Sequence, residues 1–111
     1  MDSLDAWRDT IERILSEYAA IPYRYGDVRS EVVFDRKHDR YLLVDTGWQQ
    51  GQRMYGTVVH VDICDGRIWI QYDGTEEGVA TELVEAGIPR ESIVLGFREP
   101  ELRKYTGFAA A

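Results

Sequence analysis

Apolar side chains recur at Leu4, Trp7, Ile11, Ile14, Leu15 and Tyr18, in steps of three and four. That spacing predicts an amphipathic helix. Asp2 or Ser3 is placed to cap its first turn, and Asp9 stands four residues ahead of Arg13 on its surface. The helix ends before Pro22, because a proline pushes the preceding residue out of the α region. The period then changes from helical to alternating. Ser30 to Asp35 and Tyr41 to Trp48 read as strands, joined by the polar turn Arg36-Lys37-His38-Asp39. Between the first helix and these strands, Tyr23 to Val28 is a connector turning at Gly26-Asp27. Its Tyr23 and Tyr25 flank Arg24 and read as lids on the core edge or as a platform for bases.

The strongest local signal is Arg53 to Asp73, two β-branched and aromatic runs separated by Asp65-Gly66. Asp-Gly favours a two-residue turn in which both residues have positive φ, so it predicts a hairpin with a defined register. Ile63 then faces Ile68, Val61 faces Ile70 and Val59 faces Tyr72. The other side carries the pairs Cys64 and Arg67, Asp62 and Trp69, His60 and Gln71. A second two-residue loop at Gln50-Gly51 places Leu42 opposite Val59 and Val44 opposite Thr57, on the same face as Ile63 and Ile68. The strands form a four-stranded antiparallel meander from Arg29 to Asp73 with one buried side.

After Asp73-Gly74 the helical period returns. Thr75 is the expected N-cap, Glu76 and Glu77 fill the first turn, and Val79, Ala80, Leu83 and Val84 form the apolar stripe. Gly87 and Pro89 stop this helix. Ile93 to Phe97 is either a fifth edge strand or an extended tail. Pro100 opens a short helix reaching about Tyr105 and ended by Gly107. The expected fold is α+β, one domain over residues 1–111. It has an N-terminal helix, the meander, then a helix and a short C-terminal strand and helix packed on one sheet face.

Composition narrows the function classes. Twenty acidic against thirteen basic residues give a net charge of −7, unfavourable for a stand-alone nucleic-acid binder, which presents a basic face. The single cysteine, Cys64, excludes an intrachain disulfide and fits a reducing cytosol. No apolar run approaches the roughly 20 residues of a membrane span. A cytoplasmic protein without a membrane partner is expected.

Candidate chemistry is sparse. His38 lies between Asp35 and Asp39, in a turn where all three can be solvated. His60, Asp62 and Cys64 share one sheet face at alternate positions, a spacing that suits a zinc site or a Cys-His pair. This is the alternative reading, a small metal-binding protein or enzyme, against ordinary half-exposed sheet positions. Its weakness is the missing fourth ligand, since Trp69, Gln71 and Tyr41 bind zinc poorly. Glu31, Asp45 and Asp62 are the acids available for nuclease chemistry, with no lysine spaced to complete a metal cradle. Gly47 to Gly51 is a hairpin loop lacking the lysine of a phosphate-binding loop. No catalytic, metal-binding or cofactor-binding residue is assigned.

The second sheet face asks for a different explanation. In the register above it carries Tyr41, Leu43, Val58, His60 and Trp69, joined by Val32 and Phe34 when Phe34 pairs with Tyr41. Mixed aromatic and aliphatic patches of this kind mark interfaces. The expectation is a protein-binding face, open to self-association as a homodimer. The competing expectation is that Ile93 to Phe108 folds over it.

The runs TEEGVATELVEAGIP (Thr75 to Pro89) and IVLGF (Ile93 to Phe97) resemble the XisI family. YRYGD (Tyr23 to Asp27), VFDRKHDRYLLVDTGW (Val33 to Trp48) and HVDICDGRIWIQYDGTE (His60 to Glu76) match it in the same order. The resemblance covers Leu4 to Ala109 without an insertion. XisI proteins are cyanobacterial factors named for controlling excision of the fdxN element, a DNA segment removed by a recombinase with help from XisH and XisI. The resemblance therefore implies an accessory, non-enzymatic role in DNA rearrangement with an XisH-like protein as partner. It implies no cofactor and carries over no catalytic residue.

Overall fold

The computed structural model describes residues 3–23 and 26–111, with the side chain of Ser3 excepted. The expected Asp2 or Ser3 cap and the Arg24 and Tyr25 positions of the connector lie outside the described residues. The element order is helix α1 (Ser3–Ala19), strands β1 (Asp27–Asp35), β2 (Arg40–Gln49), β3 (Gln52–Cys64) and β4 (Arg67–Asp73), helix α2 (Val79–Glu85) and strand β5 (Ile93–Leu95). Short 3-10 helices occupy Arg90–Ser92 and Pro100–Tyr105. The meander is as expected, and β5 extends it to five strands in the order β1-β2-β3-β4-β5.

Both predicted hairpin turns form in the predicted geometry. Gln50 and Gly51 have φ of 50° and 77°, and Asp65 and Gly66 have 51° and 73°, the doubly positive pair that matches the right-handed twist of the flanking strands. β1 begins at Asp27, three residues before the expected start at Ser30. Its approach to β2 there depends on Gly47, where a Cβ would lie 2.0 Å from the Asp27 carbonyl oxygen. β5 runs parallel to β4. A parallel neighbour needs a crossover, and α2 supplies it over the same face that α1 covers.

Ile11, Ile14 and Leu15 of α1 and Val79 and Leu83 of α2 pack in one cluster with Tyr41, Leu43, Val59, Val61, Ile68, Ile70 and Ile93. Each such side chain contributes about 1.5–3 kcal/mol when fully buried. Polar contacts latch α1 onto the β1–β2 turn. Arg8 donates to both carboxylate oxygens of Asp39, at 2.7 and 3.1 Å, and the Tyr41 hydroxyl donates to the same group at 2.9 Å. Arg36 donates to Glu12 and Asp9. The polar turn, expected to hold solvated charges, therefore clamps the helix. Asp9 is taken by Arg36, and Arg13 turns to Glu17 at 3.3 Å in place of the expected Asp9 pair.

The start of α2 also departs from expectation. The helix begins at Val79, so Glu76 and Glu77 precede it. Asp73 provides the cap: its Oδ2 accepts from the Val79 N–H at 2.7 Å, and its Oδ1 accepts from the Thr75 N–H and hydroxyl. A carboxylate is a stronger acceptor than a hydroxyl at the positive end of a helix, so Thr75 is left to accept from Gly78 at 3.2 Å. At the far end the Ile88 N–H reaches the Leu83 carbonyl and the Gly87 N–H that of Val84, the expected glycine stop. No helix among the described residues is long and apolar enough to cross a membrane.

Candidate protein-binding face

Two single-residue bulges decide which side chains reach the sheet's second face. Between β2 and β3 the register shifts at Val58, so Val44 pairs with Thr57 but Leu43 pairs with Val59 and Leu42 with His60. Between β3 and β4 it shifts at Gln71, so Val61 pairs with Ile70 but His60 pairs with Tyr72 and Val59 with Asp73. The expected pairs Leu42 with Val59, Val59 with Tyr72 and His60 with Gln71 are each displaced by one residue. A one-residue slip moves a strand's side chains to the opposite face.

The expected face is divided accordingly. Tyr41 and Leu43 are interior, packed beneath α1. Val58 packs against the same core and lines a groove of about 250 Å³ on the helix side with Tyr18, Ile21, Leu43 and Asp45. Val32 and Phe34 pair with Leu43 and Tyr41 and belong to that side too; the Phe34 and Tyr41 rings lie 5.8 Å apart. Only His60 and Trp69 of the expected set remain on the open face. Their companions are residues the alternation had placed inside or left unassigned. Val33, Leu42, His60 and Tyr72 form one row across β1 to β4, with Val33 and Tyr72 each 52% exposed. Tyr55 and Trp48 extend the apolar surface along the β2–β3 hairpin, and the Arg53 guanidinium lies 5.4 Å from the Trp48 ring.

The C-terminal segment covers one end of this face. Arg103 stacks 5.2 Å from the Trp69 ring and donates to the carbonyls of Gly96 and Arg98. Gly96 lies so close that a Cβ there would sit 3.3 Å from the Trp69 ring and 2.8 Å from Gln71. Trp69 is thus half-buried, and the uncovered part of the face spans β1 to β3 and Tyr72.

The candidate chemical groups do not converge. The His60 ring nitrogen Nε2 is 2.8 Å from Asp62 Oδ1, and Gln71 donates to Asp62 Oδ2 at 3.3 Å. Cys64 turns to its neighbour Asp65, 3.7 Å away. The Asp65 charge, with some burial, raises the Cys64 pKa, so the group is held as a thiol rather than an active thiolate. His38 contacts Asp35 at 2.7 Å, whereas Asp39 belongs to Arg8. Hydrogen bonds from His38 hold the Asp35 carboxyl below the usual carboxylate range, and those from Arg8 do the same for Asp39. Of the three acids considered for nuclease chemistry, Glu31 and Asp62 lie on the open face. Asp45 is on the other, where Ser30 and Tyr23 donate to it. Among the described residues no three His, Cys, Asp or Glu side chains gather as a metal site.

A family model described as XisI protein matches residues 1–110. A solved XisI-like protein from Anabaena variabilis is 37% identical, with a TM-score of 0.89 over 97% of this chain and 99% of that one. The fdxN element excision controlling factor XisI from Anabaena variabilis is 33% identical, with a TM-score of 0.82 over 99% of this chain and 100% of that one. No curated protein matches the chain.

Proposed function

The chain belongs to the XisI family, and from that premise we propose that it is an excision-control factor acting by binding another protein, an XisH-like one, through the open face of its sheet. The observation that supports this reading is the row Val33, Leu42, His60 and Tyr72, which presents the half-exposed side chains of Val33 and Tyr72 on the face opposite the core. Exposed patches of that make-up suit association. The role is non-enzymatic: His60 and Asp62 satisfy each other, and Cys64 stands apart as a protonated thiol. The protein works in the cytoplasm on a recombination complex and leaves DNA contact to its partners. A net charge of −7 limits the isolated protein to non-specific duplex binding, about 10⁻⁴ M or weaker at physiological salt.

Tyr72→Ala and Tyr55→Ala test the face. Both should keep the circular dichroism and cooperative melting of the parent while weakening the complex with a co-expressed XisH-like protein about tenfold or more, as central aromatic residues do. Unchanged affinity in both variants would place the partner elsewhere.

A further inference from the structure

The sheet has one long unpaired edge. β1 runs nine residues with unbroken register against β2, from Asp27 with Trp48 to Asp35 with Arg40. Among the described residues, no backbone hydrogen bond outside the ladders involves it. It contains no proline, no lysine and no bulge, which blunt an edge against pairing, although it carries the charges Asp27, Arg29, Glu31 and Asp35. Its stretch Val32-Val33-Phe34 is β-prone, with Val32 36% and Val33 52% exposed. α1 leaves room beside it: Val32 is on the helix side, yet its neighbour Leu43 on β2 is only 2% exposed.

We propose that β1 pairs antiparallel with β1 of a second copy of this chain, about a two-fold axis through Val32. The axis stands normal to the sheet, so both copies turn the same face outward. The charges on the strand choose among the registers that keep most of it paired, with the axis at Ser30, Glu31 or Val32. An axis at Glu31 sets Glu31 against itself and Asp27 against Asp35 of the second copy, which is repulsive. An axis at Ser30 pairs Arg29 with Glu31 but sets Ser30 against itself and holds the two Val33 side chains far apart along the seam. The axis at Val32 pairs Arg29 with Asp35 of the second copy twice, brings Val32 against itself and, with Val33 opposite Glu31, sets the two Val33 side chains diagonally across the seam. Opposite charges and apolar side chains facing each other across a strand pair stabilise it, and like charges do the reverse. The pairing is isologous and closed, so it ends at two chains. It leaves the row from Val33 to Tyr72 uncovered and joins the two open faces into one surface.

Cysteine scanning reads the register directly. In a Cys64→Ser background, Ser30→Cys, Glu31→Cys and Val32→Cys each place a thiol on one of the candidate axes. Directly opposed strand residues fall within the roughly 4.4–6.8 Å between Cα atoms that a disulfide spans. Mild oxidation should cross-link Val32→Cys to a dimer and leave the other two monomeric. In sedimentation equilibrium the parent should weigh twice the 12.8 kDa of one chain. Arg29→Asp should weigh one chain, and Arg29→Asp with Asp35→Arg should recover the dimer, a rescue that a merely structural role for Arg29 would not produce. A parent that sediments as a single chain at every concentration overturns the pairing. Cross-linking at Ser30 or Glu31 in place of Val32 overturns the register.

Discussion

The two edges of the sheet are built on opposite terms. β5 is three residues long and its Ile93 and Val94 are fully buried. The chain returns to it once more: the Ala109 N–H donates to the Ile93 carbonyl at 2.8 Å, and Val94 and Ala109 bridge in parallel. β1 is three times as long, half exposed along its centre, and flanked on its outer side by no described backbone partner. The tail that closes β5 also supplies Arg103 to cover Trp69. The closed edge therefore carries stability, and the bare one is free for association. In β1 the charges Asp27, Arg29, Glu31 and Asp35 do not abolish the template; they restrict which register it accepts.

The sharpest way to break this contrast is to place the same carboxylate at both edges. Ile93→Asp buries an unpaired charge, a penalty of several kcal/mol against a total stability of roughly 5–15, and should abolish cooperative melting. Val33→Asp should melt within a few degrees of the parent. Similar melting for the two would erase the distinction between the edges.

A smaller effect is expected at the latch that ties α1 to the β1 side. Hydrogen bonds from Arg8, and then from Tyr41, hold the Asp39 carboxyl below its ordinary value. A depressed carboxyl contributes stability that is present above its unfolded pKa of about 3.9 and is lost as pH falls through the folded value. Asp39→Asn should therefore cost about 1.5–3 kcal/mol at neutral pH. It should also flatten the decline in melting temperature below roughly pH 4. An acid limb identical to the parent's would show that the latch contributes nothing.

The smallest effect belongs to the tail. Truncation after Phe108 removes the Ala109 donor and should lower stability by about 1 kcal/mol, measured by urea melting. The reopened β5 edge is too short to pair, so the truncated chain should associate no more strongly than the parent. Additional oligomers on truncation would mean that the tail is a guard as well as a clasp.

What the sequence determined by itself is what short-range physics controls. The period of Leu4 to Tyr18, the Gln50-Gly51 and Asp65-Gly66 turns, the Gly87 stop and the inward set Val61, Ile63, Ile68 and Ile70 were all readable, because each depends on residues a few positions apart. So was the family, through ordered runs covering nearly the whole chain. The face of β2 was not readable. Tyr41 to Val44 is apolar at every position, so alternation cannot say whether Tyr41 and Leu43 or Leu42 and Val44 point inward. Packing against α1 decides it, and the bulges at Val58 and Gln71 absorb the one-residue difference between what the turns require and what the core accepts. The same holds for Asp73 displacing Thr75 as cap and for Arg8 finding Asp39 across 31 positions. These are choices between locally equivalent partners, and only the tertiary structure, by bringing one of them within hydrogen-bonding reach, makes them unequal.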